Sequence, residues 1–175
     1  IFLRLGNRLR GPKETTTVGA LRRVMISNVV VYNADARYGS IISGIPGHPI
    51  EDLKLSNIRI FYQGGGTKEQ AALEPMEKEI DYPEPSMFGD MPAYGFFIRH
   101  VKGLNVSDVE VSYMKPDMRP AFVLIDVKDA DFQHARAQHG PDVPTFVLRD
   151  VENFSTNQCW QVPDKRLEHA KLEKL

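Results

Sequence analysis

One apolar pattern, h-x-h-x-x-h-x-h, constrains this 175-residue chain more than any other feature, because it recurs four times. It occurs as Val24-Ile26-Val29-Val31, Leu53-Leu55-Ile58-Ile60, Leu104-Val106-Val109-Val111 and Ala130-Phe132-Ala135-Ala137. Each half alternates as a strand with one buried face does. Between the halves the phase slips by one residue, which in a straight strand would turn the second half outward. The chain is therefore expected to bend there. The residue before each second half is Asn28, Asn57, Asp108 or His134, and these types best tolerate a left-handed backbone after glycine. Each unit reads as strand, tight corner, strand.

A second segment follows each unit, at 38–45, 94–101, 120–127 and 144–151. Phe96 and Ile98, Phe122 and Leu124, and Phe146 and Leu148 alternate inward there, and Val101, Val127 and Val151 follow three places later. The second segment starts 10 residues after Asn28, 12 after Asp108 and 10 after His134, but 37 after Asn57. The excess marks a loop insertion at 63–93, of about 27 residues. Short strands, three to a turn of about 25 residues, without helical periodicity, predict an all-β fold: a right-handed parallel β-helix (solenoid) of about four full coils. A sandwich also repeats strands every 8–12 residues or so, but it leaves the recurring corner residue unexplained. Stacking the second segments puts Arg4, Ser43, Arg99, Ile125 and Arg149 at one outward position.

The expected organisation is coils over 1–162 and a tail helix over 163–175. Asp164 would N-cap that helix after Pro163, with Leu167, Ala170 and Leu172 apolar and Lys171 and Lys174 near its end. Ile1–Leu5 match the second segment of a coil. A solenoid starting there would bare a strand edge, so further coils are expected upstream.

Charge narrows the partners. The net charge is −1, yet 1–23 carries Arg4, Arg8, Arg10, Lys13, Arg22 and Arg23 against Glu14. The insertion carries Lys68 and Lys78 against Glu69, Glu74, Glu77, Glu79, Asp81, Glu84 and Asp90. A basic segment suits an anionic ligand. Without interleaved aromatics or a recognition motif, nucleic acid is not the expected partner. No apolar stretch approaches the roughly 20 residues of a membrane span, so no membrane contact is expected. The apolar start is broken at once by Arg4, Arg8 and Arg10, unlike a signal peptide. Cys159 is the sole cysteine, which excludes an intrachain disulfide and a cysteine zinc cluster.

The order of elements resembles glycoside hydrolase family 28, the polygalacturonases and their relatives. That family has a strand close to Arg-Ile-Lys, then a strand-corner segment, then a strand beginning Tyr-Gly. Here Phe2-Leu3-Arg4-Leu5-Gly6 is followed by Ile26-Ser27-Asn28-Val29-Val30-Val31 and by Tyr38-Gly39-Ser40-Ile41-Ile42. The resemblance implies a pectin-degrading hydrolase acting by inversion on galacturonate-containing cell-wall polysaccharide, bacterial, and periplasmic or secreted. It makes Tyr38 and Arg4 substrate-binding residues. Arg4 aligns either with the family's Arg, leaving Gly6 for its Lys, or with the Lys, leaving Phe2 for the Arg. The outward stack adds Arg99 to the same groove. A guanidinium suits a uronate carboxylate. His48, in Gly47-His48-Pro49, reads as a turn residue.

Inverting hydrolysis needs an acid and a base carboxyl about 6.5–9.5 Å apart. The family supplies them from Asn-Thr-Asp and Asp-Asp motifs, and neither occurs here. No catalytic residue is therefore assigned to this chain, which alone is expected to be inactive, and no metal or cofactor is assigned. Asp126 and Asp150 recur 24 residues apart, too far from Arg4 and Tyr38 to share a site. The alternative is a non-catalytic carbohydrate-binding or structural β-helix.

Overall fold

Each repeat of the apolar pattern lies along strand in the computed structural model, which describes residues 1–175. The strands are β1 (Phe2–Arg4), β2 (Arg22–Ala34), β3 (Ser40–Ser43), β4 (Ile50–Gly64), β5 (Phe96–Lys115), β6 (Phe122–Gln133), β7 (Arg136–Ala137), β8 (Phe146–Asn157) and β9 (Lys165–Lys174). A four-residue helix α1 (Lys68–Ala71) and a 3-10 helix (Pro85–Phe88) sit between β4 and β5. The chain is all-β, and its sheet is mixed. Every strand pairing is parallel except that of β8 with β9. No helix is long and apolar enough to cross a membrane.

The repeats pair position for position. Val24, Ile26, Val29 and Val31 face Leu53, Leu55, Ile58 and Ile60, which face Leu104, Val106, Val109 and Val111. Ala130 and Phe132 continue the stack on β6, and Ala137 on β7. Apolar side chains of successive layers thus pile into columns and form one core. In one column Phe96, Phe122 and Phe146 stack with ring centroids 5.8 and 4.9 Å apart, close to the spacing of neighbouring strands.

The long strands are not straight. Asn28, Asn57, Asp108 and His134 have φ of 58°, 51°, 53° and 52°, so the chain bends left-handed at the phase slip. Consecutive members touch: Asn57 Nδ2 donates to Asn28 Oδ1 at 2.7 Å, and His134 Nδ1 lies 3.3 Å from Asp108 Oδ1. Two further bend columns exist. One contains Arg23, Asp52, Gly103, Asp129 and Asn153, and the other His100, Asp126 and Asp150, all with positive φ. Asn57→Val is expected to cost about 1–2 kcal/mol, since a branched Cβ resists this conformation and the Asn28 bond is lost. Equilibrium denaturation measures it.

The tail corrects the sequence reading. Residues 163–175 contain no helix; Lys165–Lys174 is β9, antiparallel to β8 with Leu167 opposite Phe154 and Ala170 opposite Val151. Asp164 accepts from the Gln158 amide at 2.6 Å and caps a turn, not a helix. The charged outer side of β9 closes that edge of the sheet. At the opposite edge β1 pairs only with β3 and β2 only with β4.

Candidate functional site

The second segments put two rows of side chains on the outside of β1, β3, β5, β6 and β8. One row is apolar: Phe2, Ile41, Phe97, Val123 and Val147. The next is Arg4, Ser43, Arg99, Ile125 and Arg149 in direct register. Alternation along a strand fixes this parity, because Arg4 and Phe2 share a face.

Neither row is open. The insertion crosses both as a strap. Phe88, Met91 and Ala93 cover the apolar row and form a second buried cluster with Ile41, Phe97 and Val123. Glu74 to Glu77 cover the arginine row. Arg99 is 2% exposed, and all five of its N–H groups are engaged. Its Nε donates to Ser43 Oγ at 3.0 Å. Nη1 donates to the Pro75 carbonyl at 2.8 Å and to Glu77 Oε1 at 3.1 Å. Nη2 donates to the carbonyls of Met76 at 2.8 Å and Glu77 at 3.2 Å. Arg4 donates to Ser43 Oγ, the Gly44 carbonyl and the Glu77 carbonyl, each at 2.7 Å. Both guanidiniums flank the Phe88 ring, at 5.3 and 5.1 Å. Burial lowers the pKa of each, and for Arg4 the charge of Arg99 lowers it further. Arg149 pairs with Glu74. The column predicted from register therefore holds the strap, and Arg99 lies beneath it instead of in an open groove.

The strap's ends are clasped as well. Asp117 and Arg119 form a buried pair at 2.7 Å, their side chains 0% and 1% exposed. The Asp117 carboxylate also accepts the Gly66 amide at 2.9 Å, where the strap begins. Arg119 Nη1 donates to the Met91 carbonyl at 3.3 Å, near its end. A Cβ on Gly66 would run into Arg119 Nε and Asp117 Oδ1, so only glycine fits.

His100 is the remaining polar group under the strap. Its Nδ1 lies 2.6 Å from Asp126 Oδ2 and its Nε2 3.2 Å from Glu77 Oε1. The Asp126 contact joins neighbouring members of one bend column, like the Asn57–Asn28 bond. Asp150 belongs to the same column. No group of three or more His, Cys, Asp or Glu side chains is arranged to hold a metal ion. His48 is exposed in a turn where Ile45 and His48 pair.

An open basic hollow lies beside β1. Arg4, Arg8, Arg10, Thr16, Asp81 and Pro83 are among its walls, and it encloses about 330 Å³. Arg8 stacks on the Tyr82 ring at 4.8 Å. Neither Arg8 nor Arg10 is within ion-pair distance of a carboxylate, whereas Asp81 is paired with Lys78 at 3.2 Å. The sequence reading named this segment basic but singled out only Arg4 within it. Tyr38 is half-buried under the Arg37 guanidinium, 4.9 Å from its ring, and lines a separate, mostly apolar hollow with Phe2 and Pro85. Arg4 and Tyr38 thus flank the Phe88 cluster from different sides and share no cavity. Compared with protein-family models, curated proteins and solved structures, the chain matches none of them.

Proposed function

We propose that the parallel-paired layers wind as a right-handed parallel β-helix and that the chain is part of a polygalacturonase-like hydrolase, binding an acidic polysaccharide. The single observation that carries the binding role is the hollow in which Arg8 and Arg10 stand without carboxylate partners beside Tyr82. A uronate presents a carboxylate for a guanidinium fork and a ring for an aromatic face, and these side chains offer both. Arg4, with two donors on main-chain carbonyls, forms the inner wall. Tyr38 borders the same outer face one hollow away, and Arg99 acts as a positioning residue through the strap.

Two further features support the reading. The order of the β1, β2 and β3 sequences resembles the family 28 elements, and β1 and β3 are parallel neighbours. The free edges of β1 and β2, with Val24, Ile26, Val29 and Val31 only half-covered, suit another parallel layer, on which the paired aspartates would stand. Hydrolysis belongs to that assembled protein, since this chain carries neither aspartate motif.

The test is retention on immobilised polygalacturonate. The wild-type chain should be retained at low salt and released as salt screens the arginines. The Arg8→Ala/Arg10→Ala double variant should lose about tenfold or more in affinity, two charge-assisted contacts being removed. Equal retention of variant and wild type would refute the reading.

A further inference from the structure

Another face of the molecule carries a second track that the acidic-polysaccharide reading does not use. It lies on the outward faces of β2, β4, β5 and β7. Register aligns Val30, Arg59, Glu110 and Arg136 in one row, and Tyr32, Phe61 and Ser112 in the adjacent one. The Trp160 amide donates to the Ala135 carbonyl at 2.9 Å, which seats Trp160 one layer beyond Arg136. Tyr32 and Trp160 therefore stand four layers apart, roughly 19 Å at the usual strand spacing.

The chemistry of the track changes from its ends to its middle. Its ends are aromatic: Tyr32 is 75% exposed and Trp160 42%. Tyr32 stacks on Phe61 at 5.3 Å, with the planes 23° apart, so the two rings form one aromatic unit on the outer surface of β2 and β4. Arg136 sits 5.9 Å from the Trp160 ring centroid. Between the ends are planar hydrogen-bonding groups. Arg59 and Glu110 pair at 2.9 Å and cancel each other's charge. Two hollows of about 280 and 330 Å³ run into each other here, both walled by Glu110 and Arg136. Val30, 80% exposed, adjoins the Tyr32–Phe61 stack, and a contiguous apolar patch rimmed by polar groups in this way marks a binding surface.

From this arrangement we propose that the track binds a neutral oligosaccharide of about four residues. Pyranose rings present C–H faces that lie on aromatic rings and hydroxyls that both donate and accept. Rings at the two ends with the Arg59, Glu110 and Arg136 side chains between them match that pattern. In the hollow at the middle of the track, Arg59 and Arg136 stand against Asp108 and Glu110, so it offers a polyanion no net attraction, which separates this ligand from a uronate. A protein partner would bury the Tyr32–Phe61 stack but leave the Arg59–Glu110 pair desolvated, at a cost that a hydroxyl-rich chain, bonding to both, avoids.

Trp160 is the only tryptophan, so the emission of the intact chain reports on this track alone. The experiment titrates neutral tetrasaccharides of the glucose, galactose, mannose and xylose series, and tetragalacturonate as the acidic control. At least one neutral tetrasaccharide should change Trp160 emission saturably. Calorimetry on Arg136→Ala and on Tyr32→Ala should then show affinity lowered by about tenfold, with unchanged circular dichroism. Arg8→Ala/Arg10→Ala should bind the same neutral ligand normally, which keeps this outcome separate from that of the basic hollow. Three results would each overturn the proposal: no emission change with any neutral tetrasaccharide at millimolar concentration, a response to tetragalacturonate alone, or emission that follows protein concentration through self-association.

Discussion

Asp117→Ala is expected to cost the fold about 3–5 kcal/mol, the loss typical of removing one partner of a buried ion pair. The carboxylate is fully enclosed and accepts from Arg119 Nε and Nη2 at 3.0 and 2.7 Å, from the Arg119 amide at 3.0 Å and from the Gly66 amide at 2.9 Å. Truncation leaves Arg119, 1% exposed, as a buried cation with nothing opposite it. Both ends of the strap loosen together, since the pair holds Gly66 on one side and Met91 on the other. Acid should act through the same group. Burial raises the Asp117 pKa, but the bonds from Arg119 outweigh this and hold it below the usual carboxylate value. A lowered folded-state pKa means its stabilisation is fully present above the unfolded carboxyl value near 3.9 or so. That stabilisation is lost as pH falls through the lower folded value. Urea denaturation of wild type and Asp117→Asn across pH 2–7, a range chosen to bracket about 3.9, should show the variant losing this part of the acid dependence.

Arg99→Ala is the second large effect, expected at about 2–4 kcal/mol. Five donors vanish at once: the Glu77 carboxylate and the carbonyls of Pro75 and Met76 lose the guanidinium, and the Glu77 carbonyl keeps only Arg4. Glu77 Oε2 is already buried and unpaired, so the variant adds further unsatisfied acceptors to a site that already holds one. Arg99→Lys should recover only part of the loss, because an ammonium supplies three donors from a point where guanidinium supplies five from a fork. The readouts are urea denaturation and limited proteolysis. Cleavage within residues 68–90 should accelerate in Arg99→Ala, while β5, β6 and β8 stay protected.

The sequence made the outward column legible for a simple reason. A strand repeats every two residues and the layers repeat about every 25, so two periodicities fix which side chains stack. One bend column was legible because Asn28, Asn57, Asp108 and His134 share a chemistry that accepts positive φ. Of the other two columns, one begins with Arg23, whose type does not advertise a bend, and the other, His100, Asp126 and Asp150, consists of tolerant types that the four-fold apolar pattern does not mark out. The tail misled through the same geometry. Asn153 bends β8 between Val151 and Phe154, so both of these face inward although they are three residues apart. Their antiparallel partners Ala170 and Leu167 inherit that spacing, which imitates a helical repeat. The insertion was visible as a length, but its path was not. Glu77 meets Arg99 across 22 residues and Arg4 across 73, and no local pattern encodes such contacts. Asp117 and Arg119, two apart beside a proline, likewise carried no signal of burial.

The most direct test is a crystal structure of the chain with a short galacturonate oligomer bound. The expected result has a uronate carboxylate within hydrogen-bond distance of the Arg8 and Arg10 guanidiniums, with Arg99 still donating to the Pro75, Met76 and Glu77 carbonyls. An oligomer lying along Arg4, Arg99 and Arg149 with the strap displaced, or one that leaves Arg8 and Arg10 untouched, would contradict it.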